Sequence, residues 1–189
     1  MEWYRYNINN LTQQAYTKWY AIMTDKKQLR IDRLHHEGDK KRSVAGEMLA
    51  KKSIAETLNI APEEIIIKVT SQGKPYVEDR PIHFNISHCE DYVVCAVAEK
   101  EIGIDIEKIR DVNLSIAERF FTHSEREYLN SGDPADKNKR FFEIWTAKEA
   151  YLKWLGSGIT DELNKIDVPQ ANVKHFYFED YVVAVYTEE

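Results

Sequence analysis

Residues 90–99 read EDYVVCAVAE, and residues 179–188 read EDYVVAVYTE. Six of the ten positions are identical at a fixed offset of 89 residues. Both stretches are rich in β-branched and aromatic side chains, which is typical of a buried strand. Similarity at a fixed offset is the usual sign of an internal duplication, although two unrelated strands can share such a composition by coincidence. We therefore predict two similar α+β lobes, residues 1–100 and 101–189, each ending in a core strand.

A weaker repeat lies upstream of each strand. It consists of the motifs Ala45-x-Glu47-x-x-x-Lys51 and Ala147-x-Glu149-x-x-x-Lys153. The first motif falls in a helix that we predict from Lys40 to about Leu58, with Asp39 as its N-cap.

Three further helices are predicted after residue 110. Ser115-x-x-Glu118 and Ser124-x-x-Glu127 both match the capping box, which predicts two short helices within residues 116–130. Asp133-Pro134 is predicted to open the longest helix of the chain, with Pro at its first position. This helix should end near Leu155, because Gly156 follows.

Composition excludes several classes of protein. The 189 residues carry a formal net charge of −6 and are 43% hydrophobic, which is ordinary for a globular protein. A pI near 5.6 argues against general nucleic-acid binding, and a mean hydropathy of −0.57 argues against a membrane span. The first ten residues lack the apolar core of a signal peptide, so we expect a cytoplasmic protein.

The two cysteines do not indicate a metal site or a disulfide framework. Cys89 and Cys95 lie six residues apart within one apolar run. Cys95 alternates with Val93 and Val97, and we predict that it is an inert strand residue.

Residues 101–107 read EIGIDIE and are predicted to form a strand. Asp105 and Glu107 are two positions apart, so both carboxylates project from one face, while Ile104 and Ile106 point into a core. Gly103 on the acidic face would let a ligand or another strand approach closely. Paired carboxylates suit a hard cation such as Mg²⁺, although exposed strand faces also carry acids without any such role.

The predicted long helix contains a second candidate group. Glu149 and Lys153 are neighbours at positions i and i+4, which is also the pattern of an ordinary surface pair. Trp145, Leu152 and Phe141 form the adjacent apolar stripe and would hold that face at a buried edge. There an unpartnered charge would be costly, which favours a functional role.

The N-terminal half carries three groups that could bind an anion. Residues 72–76, QGKPY, read as a turn in which Gly73 permits close approach and Lys74 offers a cation. Ser87 and protonated His88 would suit phosphate oxygens, the alternative being a turn serine and a core histidine. Basic residues cluster at 26–33 and 40–42, and Arg42 is predicted in the first turn of its helix, where free N–H groups favour anions.

The order of these motifs is more specific than any one of them. A basic stretch is followed by Gly73-Lys74-Pro75, Ser87-His88, GIDIE and the helix motif WTAKEAYLK of residues 145–153. This arrangement resembles the Sfp-type 4′-phosphopantetheinyl transferases. Asp105 precedes Lys148 by 43 positions, a spacing that fits the family, and the resemblance covers most of the chain.

The resemblance implies a fold and a reaction. The fold is an internal pseudo-dimer of two α+β lobes with the active site between them. The enzyme binds coenzyme A with Mg²⁺, or with Mn²⁺ in its place. It transfers the 4′-phosphopantetheine group to a serine of an apo acyl, polyketide or peptidyl carrier protein and releases adenosine 3′,5′-bisphosphate. The internal duplication favours a monomer, and the resemblance implies neither nucleic-acid nor membrane binding.

The resemblance also implies roles for individual residues. Asp105, Glu107 and Glu149 would ligate Mg²⁺. Lys153, together with Lys148, would neutralise charge at the diphosphate. The 3′-phosphate side would be held by Lys27, Arg30, Arg42, Ser87 and His88, and the adenine end by Gly73, Lys74 and Pro75. The serine proton would pass either to Glu149 or to a metal-bound hydroxide, and the sequence leaves both open.

Two other functions fit some of these residues. A non-catalytic binder of coenzyme A or a nucleotide would not need Asp105, Glu107 and Glu149 together. A metal-dependent diphosphate hydrolase would need a dedicated water-activating site, and no other motif suggests one. The net negative charge does not favour an acidic carrier protein, so docking would use a local patch. Phe120 and Phe121 are candidates for it, unless both lie in the core.

Overall fold

The computed structural model describes residues 1–78, 80–156 and 163–188 and divides the chain into two compact units, Met1–Lys100 and Glu101–Glu189. The N-terminal unit contains β1 (Glu2–Asn7), α1 (Gln13–Ala21), α2 (Asp25–Asp32), α3 (Glu37–Leu58), β2 (Ile67–Val69), β3 (Pro75–Val77), β4 (His83–Cys89) and β5 (Tyr92–Ala98). The C-terminal unit contains β6 (Ile102–Lys108), α4 (Ser115–Phe120), α5 (His123–Asn130), α6 (Lys137–Leu155), β7 (Val173–Phe178) and β8 (Tyr181–Thr187).

Both units are built on the same plan. Each has a three-stranded antiparallel sheet, in the order β1-β5-β4 and β6-β8-β7, and a long helix packs on each sheet. Glu90 and Glu179 open the two hairpin turns with φ of 47° and 48°. The N–H of Ile8 donates to Asp91 O at 2.8 Å, and that of Ile109 donates to Asp180 O at 2.6 Å. The predicted α+β fold with two similar halves is confirmed.

Several predicted helix starts are wrong. Helix α3 begins at Glu37. Its N-cap residue is His36, whose side chain makes no capping hydrogen bond, and Asp39 lies inside the first turn. At 22 residues α3 is also longer than α6, which has 19. Asp133 caps a short 3-10 turn, Pro134–Asp136, and α6 begins only at Lys137.

The two predicted capping boxes are wrong as well. Helix α4 follows Leu114, which makes no side-chain cap. The capping box of α5 is formed by Thr122 and Glu125, two residues earlier than the predicted Ser124 and Glu127. Both pairs match the motif in sequence, and the pair that forms the cap is the one whose glutamate, Glu125, is buried and paired with Lys148.

The helix ends and the core strands agree with the sequence. Helix α6 ends at Leu155, and Gly156 adopts the left-handed conformation that closes it. Cys95 is completely buried in the core beneath α3, as predicted for an inert strand residue. Ile104 and Ile106 are also buried.

Gly103 has a different neighbour from the one predicted. A Cβ at this position would lie 1.9 Å from the carbonyl oxygen of Ala150 and 2.7 Å from the backbone nitrogen of Trp154. The close approach is therefore that of the α6 backbone, rather than of a ligand or another strand. Gly103, Asp105 and Glu107 share one strand face, so that face is turned toward α6.

Gly103→Ala should lower the free energy of unfolding by about 1–3 kcal/mol, because β6 and α6 must separate to admit the methyl group. Denaturant unfolding would measure this. Gly46→Ala is the matched control, since its Cβ would be 3.4 Å from the nearest side-chain atom and alanine favours the helix. Equal stability of the two variants would contradict this account of Gly103.

Candidate active site

Strand β6 and helix α6 bring the predicted acidic residues of the C-terminal unit together. Asp105 is 5% exposed on the strand face beneath the helix. Lys153 lies in the last turn of α6 and places its Nζ 2.6 Å from Asp105 Oδ1. An ammonium group thus lies beside a carboxylate at the edge of a buried layer, where electrostatic interactions are stronger than in water.

The carboxyl of Glu149 has a strongly raised pKa. Burial, followed by the neighbouring charge of Asp105, raises its pKa to about 7, while Lys153 acts in the opposite direction. Its Oε1 atom is buried without a hydrogen-bond partner among the described residues. A carboxyl with these properties exchanges a proton near neutral pH, which suits a general base.

Glu107 completes the predicted acidic set. It lies near the end of β6, half-buried, with Oε2 3.5 Å from a guanidinium nitrogen of Arg110. Its charge also raises the pKa of Glu149, so the three carboxylates interact. Within the described part of the chain, no three His, Cys, Asp or Glu side chains are arranged as a formed metal-ligand cluster. The donor set nevertheless has the chemistry that Mg²⁺ prefers, and the bare Oε1 of Glu149 is suited to a cation.

Lys148 has a different environment from Lys153. It is 2% exposed, and its ammonium contacts both carboxylate oxygens of Glu125, at 2.8 and 2.7 Å, and the carbonyl oxygen of Ile166, at 2.6 Å. These three acceptors match its three donors. Burial lowers the pKa of Lys148. Its contacts therefore do not support the predicted role at the diphosphate, and they indicate that Lys148 joins α6 to α5.

The N-terminal unit contains a cavity of about 510 Å³ that collects several of the predicted binding residues. Lys27 and Arg30 of α2 line it together with Gly73 and Pro75 of the β2–β3 turn. Its apolar wall is formed by Ile67, Val69, Tyr76 and Ile86. Cations beside an apolar wall suit a flat heterocycle that carries phosphate groups.

The backbone conformation of the β2–β3 turn favours glycine at position 73. Gly73 has a φ of 89°, and a Cβ there would meet no atom within 4 Å. Lys74 follows it, half-buried, and its N–H donates to Thr70 Oγ1 at 3.1 Å. The turn therefore places Gly73 and Pro75 at the cavity through its own hydrogen bonds.

Glu47 also lines this cavity and was not predicted as a site residue. It is 6% exposed, and its oxygens lie 3.8 Å from the ammonium groups of Lys27 and Lys51. The repeated motif Ala-x-Glu-x-x-x-Lys, which pairs Glu47 with Glu149, was the sequence signal that could have identified it.

Arg42 and His88 lie on a different part of the N-terminal unit. Because α3 starts at Glu37, Arg42 is in the second turn, so its predicted place among the free N–H groups of the first turn is wrong. Its guanidinium donates to Asp39 and, at 2.8 Å, to the carbonyl oxygen of Glu90. Arg42 and, to a smaller extent, exposed His88 lower the pKa of Asp39, so both side chains lie within electrostatic range of that carboxylate.

Ser87 precedes His88 on β4 and therefore points to the opposite face. It is 6% exposed. The structure thus groups His88 with Arg42, and it does not place the Ser87 side chain on the same side of the strand.

The two phenylalanines predicted to form a docking patch lie in different environments. Phe121 is completely buried in the core of the C-terminal unit, so it cannot form part of a surface patch. Phe120 is half-buried and makes an edge contact with Trp145, with ring centroids 5.9 Å apart. None of the helices in the described part of the chain has the length and hydropathy needed to cross a membrane.

Comparison with known proteins defines the class to which this fold and site belong. Residues 101–187 match the model of the 4′-phosphopantetheinyl transferase superfamily. Residues 10–100 match the model of the 4′-phosphopantetheinyl transferase N-terminal region.

Individual relatives agree with this class. The chain is 37% identical over 156 residues to 4′-phosphopantetheinyl transferase gsp of Aneurinibacillus migulanus, a match that covers 82% of this chain and 65% of the relative. It is 31% identical over 159 residues to 4′-phosphopantetheinyl transferase Sfp of Bacillus subtilis strain 168, covering 84% of this chain and 71% of the relative. The chain belongs to the 4′-phosphopantetheinyl transferases, a family of transferase enzymes.

Proposed function

We propose that the chain transfers the 4′-phosphopantetheine group of coenzyme A to a serine hydroxyl of an apo carrier protein. The serine oxygen forms a bond to the phosphorus next to pantetheine, and the diphosphate P–O bond breaks. Adenosine 3′,5′-bisphosphate leaves, and the serine proton passes to a base. The observation that carries the proposal is Glu149, a half-buried residue with a shielded Oε1, whose pKa is raised to about 7 by burial and by Asp105.

The residues of the C-terminal unit fit the demands of this reaction. Phosphoryl transfer depends mainly on positioning and on stabilising the charge that develops on the phosphate oxygens. Lys153 supplies a positive charge at the edge of the acidic site, and the carboxylate of Glu149 accepts the serine proton. Deprotonated Glu149 is well populated near pH 7, which is the condition for an efficient base.

Asp105, Glu107 and Glu149 would hold Mg²⁺ in this proposal. When bound, the ion neutralises the diphosphate and the repulsion among the three carboxylates. Burial is the main cause of the raised pKa of Glu149, and the charges of Asp105 and Glu107 raise it further, as such repulsion would.

The N-terminal unit would hold the nucleotide end of coenzyme A. The cavity lined by Lys27, Arg30, Gly73 and Pro75 offers both apolar surface and positive charge. Arg42 and His88 would bind the 3′-phosphate, and Lys74 and Ser87 remain secondary members of the proposed site. The similarity of the two units supports a monomer as the working form.

Incubation of the chain with coenzyme A, Mg²⁺ and a panel of apo carrier proteins tests the proposal. Intact mass measurement should show that one carrier gains one phosphopantetheine group. Binding of coenzyme A without modification of any carrier would instead identify a binding module. Cleavage of coenzyme A in the absence of a carrier would identify a diphosphate hydrolase.

Arg42→Ala should weaken the binding of coenzyme A about tenfold or more and leave that of 3′-dephospho-coenzyme A almost unchanged, since one charge-assisted contact is lost only for the former. Titration calorimetry with both ligands measures the difference. Lys41→Ala removes an equal charge from the same helix and serves as the control. Equal losses for the two ligands would show that Arg42 does not contact the 3′-phosphate.

A further inference from the structure

The cavity of the N-terminal unit has a buried carboxylate in its wall that the proposed chemistry does not use. Oε2 of Glu47 lies 3.8 Å from Nζ of Lys27, which α2 supplies. Oε1 lies 3.8 Å from Nζ of Lys51, one turn later on α3. Lys51 also donates to the carbonyl oxygen of Ile22 at 3.3 Å, and it is not among the residues that line the cavity.

The internal duplication shows what is distinctive about this arrangement. Glu47 and Lys51 occupy the motif positions of Glu149 and Lys153 in the other unit. The residues on the neighbouring strands differ. Tyr4 pairs with Cys95, and Asp105 pairs with Ala184. Because Cys95 and Ala184 are equivalent at the offset of 89 residues, Tyr4 is the counterpart of Asp105. By the same register Tyr6 corresponds to Glu107.

The N-terminal unit therefore keeps the helix carboxylate but has phenols where the other unit has acids. Without strand carboxylates beside it, Glu47 does not join an acidic set. Its neighbours are two ammonium groups, and one of them, Lys27, lines the cavity with Arg30 and Lys26.

The physical role of such a carboxylate follows from burial. Burial lowers the pKa of Lys27 and raises that of Glu47, and the attraction between the two groups opposes both shifts. Loss of the counter-ion of a partly buried ammonium favours conformations in which the ammonium turns to solvent, and it favours loss of the proton. Either change would remove a positive charge from the cavity wall.

We propose that Glu47 is a positioning residue that holds the ammonium of Lys27 at the cavity wall and thereby strengthens binding of the phosphorylated nucleotide end of coenzyme A. The proposal rests on the proposed function, because it takes coenzyme A as the ligand. Glu47 itself contacts Lys27 and is not required to contact the substrate or the reacting atoms.

A double-mutant cycle between Glu47 and Lys27 tests the proposal. Transfer rates would be measured against the concentration of coenzyme A for the wild type, Glu47→Gln, Lys27→Ala and the double variant. Glu47→Gln should raise KM for coenzyme A about tenfold, the loss of one charge-assisted contact, and leave kcat within about twofold. The double variant should be no weaker than Lys27→Ala alone, because both changes remove the same contact.

Glu56→Gln is the matched control, since Glu56 is an exposed acid on the same helix, and its KM should equal that of the wild type. Additive losses in the double variant, or a fall in kcat without a change in KM, would overturn the proposal. If Glu47→Gln does not fold, Glu47→Asp keeps the charge and retracts it from Lys27. It should give a smaller rise in KM that again disappears in the Lys27→Ala background.

Calorimetric titration with coenzyme A alone separates this proposal from the proposed function. If the wild type and Glu47→Gln bind coenzyme A equally tightly, only the role of Glu47 is overturned. If the wild type does not bind coenzyme A, the proposed function is overturned, and the role of Glu47 with it.

Discussion

Replacing Asp105 by asparagine should lower the rate of phosphopantetheine transfer by about 100-fold to 1000-fold at saturating coenzyme A and carrier protein. Stabilisation by a bound cation contributes several kcal/mol to such a reaction, and a neutral amide at this position would largely forfeit it. Asparagine keeps the shape of Asp105, which matters because the residue is buried beneath α6. Single-turnover rates measured across a range of Mg²⁺ concentrations would give the effect.

The same titration distinguishes a metal ligand from a residue that only pairs with Lys153. Loss of a ligand should raise the Mg²⁺ concentration needed for half-maximal rate, and excess Mg²⁺ should restore part of the activity. Asp136→Asn is the control, because Asp136 is an exposed acid at the opposite end of α6 and makes no side-chain cap. Wild-type rates for Asp105→Asn at limiting Mg²⁺ would contradict the metal assignment.

Glu149→Gln should lower the single-turnover rate of transfer by a factor on the order of 100 or more, the usual contribution of general acid–base catalysis. The amide keeps the size of the side chain but can neither accept the serine proton nor carry a negative charge. Binding of coenzyme A without Mg²⁺ should change little, since a carboxylate does not attract phosphate. Lys153→Ala should differ, weakening diphosphate binding as well as slowing transfer.

The pKa of Glu149 adds a dependence on pH. In the metal-free protein the Glu149 carboxyl ionises near pH 7, and it must be ionised to bind Mg²⁺ and to accept the serine proton. At limiting Mg²⁺ the transfer rate should therefore rise as pH increases through that value. Stability should change in the opposite direction. The pKa of the folded state exceeds the ordinary value of 4.5, so the folded protein retains a proton that the unfolded chain has lost. In EDTA, the contribution of Glu149 to the free energy of unfolding should therefore decrease as pH rises from about 4.5 to about 7. The Glu149→Gln variant should lack this pH dependence.

A role as an ordinary surface pair gives a different result. An exposed i, i+4 pair of Glu149 with Lys153 would contribute only a few tenths of a kcal/mol to stability and nothing to the rate. A Glu149→Gln variant that transfers within about threefold of the wild type would support that simpler interpretation.

The fold could be predicted where one local pattern was decisive. The repeated strands at residues 90–99 and 179–188 carry their β-branched and aromatic residues in the sequence itself, and Gly156 marks the end of α6. Helix starts were predicted less well. Thr122 and Ser124 are both followed by a glutamate three residues later, and only the burial of one helix face decides which pair forms the cap.

For the candidate site, the sequence by itself determined the residue types, the pairing of Asp105 with Glu107 on one strand face, and the repeated Glu and Lys of the two helices. These follow from the two-residue period of a strand and the near four-residue period of a helix. Tertiary structure alone decided which partner each group meets. Lys148 and Lys153 lie in one motif, yet one meets Glu125 and the other Asp105, because residues five apart on a helix face different elements. Gly103 meets the backbone of α6, and Glu47 meets Lys27 across a cavity, because such contacts join segments whose approach is set by packing rather than by local sequence.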